Sequence, residues 1–187
     1  MSTLKVNAIE KKDADQTLTV KDAAMTGVTT IAGSPTVADM SNFTFPTGHI
    51  IQTRFGSSTV QVTTTNTTRA LAVEHTITPQ TGNDVLVTGT VGAQVDTGGQ
   101  RPYLEILRTP AGGSSTQLWA TQFSWGVSNA VIAPANVLDE SPGGDGSTVI
   151  TYSIKIWIIG GGGTLYANYT DGTGQLFSSI ILQEIIG

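Results

Sequence analysis

The chain has 187 residues, a net charge of −5, 12% charged side chains and no cysteine. That length gives one domain with a real core and an appendage of several dozen residues, and the missing cysteines exclude disulfides, thiol nucleophiles and thiolate metal sites. Lys11 and Lys12 are the only adjacent basic pair, too little to displace counterions from a phosphate backbone, so no nucleic-acid partner is expected. The apolar runs all fall short of the roughly 20 residues that cross a bilayer as a helix, so no membrane insertion is expected.

Met1 to Val6 lacks the basic and apolar regions of a secretory signal, which points to production and assembly in a cytoplasm. Residues 1–47 differ in texture from the remainder of the chain. Leu4, Val6 and Ala8 alternate with Lys5 and Asn7, residues 10–15 form a charged turn, and Leu18 and Val20 alternate with Thr19 and Lys21. This reads as a polar hairpin with too little apolar surface to stand alone. Residues 22–42 are a low-complexity run of Ala, Thr, Gly, Val and Ser, interrupted by Pro35, and read as an extended arm without its own core. Phe43, Phe45 and Pro46 make an apolar hinge. The expected division is an anchoring arm at 1–47 and a head domain at 48–187.

From His49 onward, strand-like segments recur with turn signals between them. They fall at 50–55, at Val60 and Val62, and at 70–77, which Thr78-Pro79 ends. A turn at 80–84 leads to 85–95, with Val85, Val87, Gly89, Val91 and Ala93 on one face. In 102–107, Tyr103, Glu105 and Leu107 oppose Leu104, Ile106 and Arg108, and Gly112-Gly113 marks the next turn. Segments at 118–123, 130–138, 150–159, 165–169 and 176–186 complete the set. The strongest is 150–159: Ile150, Tyr152, Ile154, Ile156 and Ile158 alternate with Thr151, Ser153 and Lys155, the period-two pattern of a strand with one buried face. Trp157 and Ile159 make the far end apolar on both sides, which implies cover from a sheet, a terminus or a neighbouring subunit. The fold class expected is all-β, an antiparallel β-sandwich of jelly-roll type with an extended N-terminal β-arm.

Chemistry finds little footing. His49 and His75 are the only histidines and read as strand or strand-start residues, and no Gly-x-Ser-x-Gly elbow singles out a nucleophile. No catalytic, cofactor-binding or metal-binding residue is assigned, and no cofactor is expected. Gly160 to Gly163 lacks the Gly-Lys-Ser/Thr of a phosphate loop and reads as a hairpin turn. Asp139, Glu140, Asp145 and Asp171 lack the spacing of a calcium loop and read as surface chemistry. Asn42, Asn66 and Asn168 each begin an Asn-x-Thr triplet, which a Thr-rich chain generates by chance. Trp119, Trp125 and Trp157 read as core or interface groups, with sugar stacking as the alternative.

The opening Leu4-Lys5-Val6-Asn7-Ala8-Ile9 with Leu18-Thr19-Val20 resembles the start of tail-fibre proteins of tailed bacteriophages, particularly those infecting cyanobacteria and marine bacteria. Phe45 to Gln52, Thr76 to Pro79 with Val85 to Val87, Leu107-Arg108, Leu138 to Pro142 and Ile180 to Ile185 resemble a β-sandwich domain of the same virion proteins. The resemblance implies a non-enzymatic structural protein of the virion, assembled in the host cytoplasm. It also implies a homotrimer, held to the particle by its N-terminal segment, with other tail or capsid proteins and a host surface glycan as partners. A capsid decoration protein is the alternative, and a carbohydrate-binding module the third. The apolar residues at Trp157, Ile159, Leu182, Ile185 and Ile186 supply an independent reason to expect a trimer, since they exceed what one sandwich would cover.

Overall fold

Ile150, Tyr152, Ile154, Ile156 and Ile158 are exposed by no more than 1%, so the even-numbered face of the strongest alternating stretch does point into the core. A computed structural model of the chain describes residues 46–96, 100–123, 130–160, 163–170 and 174–187. The expected arm, apart from Pro46 and Thr47, lies outside the described residues, as do Phe43, Phe45, Trp125 and Asp171.

Ten strands follow in order: β1 (Ile50–Ser58), β2 (Val62–Thr64), β3 (Ala70–Ile77), β4 (Asn83–Val95), β5 (Arg101–Pro110), β6 (Thr116–Gln122), β7 (Val131–Asp139), β8 (Ile150–Ile159), β9 (Leu165–Ala167) and β10 (Ser178–Ile186). No helix occurs among the described residues. The eight long strands pair in nested order, first with last: β1 with β10, β3 with β8, β4 with β7, and β5 with β6. Further ladders from β10 to β4 and from β8 to β5 complete two antiparallel sheets, β1-β10-β4-β7 and β3-β8-β5-β6. Nested pairing of this kind is a long hairpin rolled over on itself, the jelly-roll sandwich. We call the two layers the β4 sheet and the β8 sheet. Short β2 and β9 pair with each other, and β9 prolongs the β4 sheet beside Ala93–Val95.

Alternation explains which side of each layer is buried. Val85, Val87, Val91, Ala93 and Val95 of β4 meet Ile180 and Leu182 of β10 and Ala133 and Ala135 of β7 in the core, opposite Leu104, Ile106 and the even face of β8. Gly89 sits in the same row because the facing layer leaves no room: a Cβ there would overlap the Ile154 Cδ1 and the Ser179 carbonyl. Burying a Leu- or Ile-sized side chain contributes about 1.5–3 kcal/mol, so this two-layer core carries the stability that a cysteine-free chain needs.

Three local expectations are corrected. β8 and β9, which flank the glycine run at 160–163, lie in different sheets and do not form the expected hairpin; Gly161 and Gly162 themselves lie outside the described residues. Tyr169 is not in β9, which ends at Ala167 because Asn168 turns to φ 56°. The C-terminal strand starts at Ser178 and not at Leu176.

Candidate functional site

The polar groups inside the sandwich tie its layers together. Asp139, at the end of β7, accepts a hydrogen bond from the buried Tyr152 hydroxyl at 2.8 Å and two from Arg108 Nη1 at 2.9 and 3.1 Å. Arg108 also donates to the Ser141 carbonyl. One carboxylate thereby links β7 of one layer to β5 and β8 of the other. Burial and the bond to Asp139 hold the Tyr152 hydroxyl above its ordinary range. Glu184, buried in β10, accepts from the Gln80 backbone N–H at 2.6 Å and from Asn83 Nδ2 at 2.7 Å, which fixes the turn between β3 and β4.

Asn168 does the same work at β9 and is the residue that sequence reasoning missed. Its amide is fully buried and donates to the carbonyls of Val60 and Ala72 at 2.9 and 3.0 Å and to Ser58 Oγ at 3.2 Å, while its Oδ1 accepts from Ser178 Oγ at 2.6 Å. The left-handed φ is one that Asn tolerates better than most residues. An amide so placed is closed to glycosylation. Asn66, by contrast, caps an exposed turn by accepting from the Thr68 N–H at 2.7 Å.

The candidate acids and bases do not converge. His49 lies just before β1, where its backbone carbonyl accepts from the Ile186 N–H at 3.1 Å. His75 faces the Gly56 side of β1 and lines a small groove with Arg54, Thr76, Ile77, Thr78 and Val149. Asp145 accepts from the backbone N–H and hydroxyl groups of Ser147 and Thr148, which hold its carboxyl well below the usual range and use it to close its own loop. Asp139, buried at 5%, is therefore not the surface carboxylate expected but a link between the layers, while Asp145 closes a loop. Among the described residues no cluster of three His, Asp or Glu is arranged to hold a metal.

The outward faces are where the two layers differ. On the β8 sheet, Tyr103 stacks on Trp157 across the β5–β8 ladder, with ring centroids 5.0 Å apart and planes 11° from parallel. The Arg69 guanidinium lies over the Trp157 ring at 5.0 Å, a cation–π contact, and the Tyr103 hydroxyl donates to Gln122 Oε1 at 3.2 Å. A ladder of Arg, Trp, Tyr and Gln therefore crosses this face. It leaves Trp157 only 9% exposed, so the cover expected from a second sheet or subunit comes from neighbouring side chains of the same face. Ile159, at 41%, is the part of that expectation left bare. Beside the ladder, Glu105 is fully buried, paired with Arg69 Nε at 2.5 Å, and its Oε2 has no hydrogen-bond partner among the described residues. Burial pushes its carboxyl up, against the opposing pull of Arg69 and Lys155.

On the β4 sheet the outward positions are of another kind. They include Thr53, Phe55 and Ser57 of β1, Ile181 and Gln183 of β10, Leu86, Thr88 and Thr90 of β4, and Ile132, Asn136 and Leu138 of β7. Asp84 is the one charged residue among the outward positions of these four described strands. Phe55 and Ile132 are 61% and 65% exposed. The apolar C-terminus does not add to this surplus as expected, because Leu182 is fully buried while Ile185 and Ile186 are half-buried.

No protein-family model matches the chain, and no curated protein matches it. Solved structures of infectious bursal disease virus are similar in part. The Gx strain structure matches at 12% identity and TM-score 0.44 over 73% of this chain. The virus-derived T=1 particles match at 11% and 0.45 over 82%, and the VP2 subviral particle at 10% and 0.41 over 71%. The chain spans only 37–42% of those viral chains' own length. The all-β antiparallel sandwich of this protein stands on its own strand pairing.

Proposed function

We propose that the chain is a non-enzymatic structural component of a tailed-phage particle: a trimeric tail fibre or tail appendage protein, attached through residues 1–47, with the sandwich at 48–187 displayed toward the host surface. The observation that carries this reading is how the sandwich spends its polar side chains. Asp139, Glu184 and Asn168 are consumed in joining strands and layers, and among the described residues no nucleophile, base or cation set is left converging on a cleft. Enzyme sites leave perturbed groups facing substrate space; an assembly protein needs a rigid head and surfaces that meet other subunits. The N-terminal sequence fits the second requirement, with strand-like alternation and too little apolar surface to fold alone. The carbohydrate-binding reading is less favoured, because Trp157 is covered by Arg69 and Tyr103 and Trp119 packs half-buried against the core.

Deletion of residues 2–42 tests the reading. The melting temperature of the head should stay nearly unchanged while incorporation into particles is lost, as followed by calorimetry and by immunoblotting of purified virions. A large fall in melting temperature would make the arm part of the core. A particle map with the chain seated on capsid subunits would move the protein to the decoration class.

A further inference from the structure

We infer that the outward face of the β4 sheet is the surface on which a second copy of this chain seats. The inference rests on the trimeric reading above and names the face that would carry it. Charge selects the occupant. Each copy carries a net charge of −5, so two copies repel over most approaches, and Asp84 is the one charged residue among the outward positions of β1, β10, β4 and β7. A differently charged partner would be recognised through complementary charges, which this face does not offer. Three copies that turn this face toward a threefold axis bring no like charges into the centre of the assembly, and depletion of charge at the centre is the compositional mark of protein interfaces.

The apolar content agrees. Phe55, Ile132 and Leu138 stand outward and exposed, and Phe177 is exposed where its carbonyl accepts from the Gly92 N–H beside Ile132. Four strands spaced by about 4.8 Å and eight residues of about 3.4 Å each give a face of roughly 500 Å² in projection, the same order as the roughly 800 Å² that each partner buries in a standard interface. The outward face of the β8 sheet cannot serve in the same way, because Arg69, Glu74 and Lys155 charge it.

Light scattering on the full chain at micromolar concentration is the test, with Phe55→Lys combined with Ile132→Lys on one face and Ala120→Lys on the other as control. Wild type and Ala120→Lys should run as oligomers, and the double variant as a single folded chain with an unchanged far-ultraviolet spectrum. Should the double variant fail to fold, Ile132→Thr decides, with an expected rise of about tenfold in the dissociation constant. An oligomer that survives the double variant, or is indifferent to Ile132→Thr, overturns the assignment of this face and leaves the trimeric reading standing. A wild-type protein that is monomeric overturns both.

Discussion

Tyr103 and Trp157 on the β8 sheet and Phe55 and Ile132 on the β4 sheet are all large side chains on outward faces, yet the first pair cover one another and the second pair stand bare. The difference lies in the rungs. Trp157 is flanked across the sheet by Tyr103 and capped by Arg69, whereas Ile132 is paired with Gly92, which has no side chain to offer. Phe55 is paired with Ile181, beyond which the rung continues through Thr88 and Asn136. An outward apolar residue is thus a core-like element or an open contact according to its cross-strand neighbours, since these pairs are the unit of sheet stabilisation. One face has been closed by side chains of its own chain. The other has not.

Reversing the sides of the β8 sheet would undo this contrast most severely. Ile154 sits against Gly89 in the core, so Ile154→Ala should cost about 2–5 kcal/mol in chemical denaturation. Ser153, on the opposite side between Glu74 and Leu107 and itself buried at 5%, loses only a hydroxyl on change to Ala, so its cost should stay at about 1 kcal/mol. If Ser153→Ala were the more damaging, the inner and outer faces would be exchanged and the contrast between the layers would fall with them.

A smaller effect is expected at Asn168, which fixes the layers against each other beyond β9. Asn168→Ala strands the buried Val60 and Ala72 carbonyls and Ser178 hydroxyl and forces Ala into a left-handed φ; a cost of at least about 1–3 kcal/mol is expected. Asn168→Gly relieves the backbone strain but still lacks the hydrogen bonds, so it should fall between wild type and Asn168→Ala in thermal unfolding. Equal stability of all three would show that the amide network contributes nothing.

The smallest expected effect concerns the chemistry of the β8 face. Because Glu105 in the folded chain has its carboxyl raised above the ordinary 4.5 by burial, the unfolded chain releases this proton first as pH rises. Its contribution to stability is therefore whole below the unfolded value and diminishes as pH climbs through the interval above it. Glu105→Gln keeps the shape and removes the titration, so its stability relative to wild type should improve from pH 4 to pH 8. A difference that does not vary with pH would mean that Arg69 and Lys155 offset the burial completely.

Much of this fold is legible as period-two alternation, because which side of a strand is buried is a local property. The even face of β8 and the row from Val85 to Ala93 of β4 follow directly from it. What covers a face is not local. Trp157 reads as surplus apolar surface until Tyr103 and Arg69, distant in sequence, are placed beside it by the β3–β8–β5 order. Gly160 to Gly163 reads as a hairpin because nothing nearby says that β8 and β9 belong to different layers. Asn168 reads as a chance glycosylation triplet, since its partners Ser58, Val60, Ala72 and Ser178 come from four separate segments.

The absence of cysteine allows the contrast between the faces to be measured without background. Single cysteines at Ile132→Cys on the β4 face and Ala120→Cys on the β8 face both occupy exposed strand positions, and their thiol-labelling rates can be followed across a dilution series. The account predicts that Ile132→Cys labels several-fold more slowly at micromolar concentration than at nanomolar, while Ala120→Cys labels alike at both. Equal concentration independence at the two positions, or protection at Ala120→Cys alone, would contradict it.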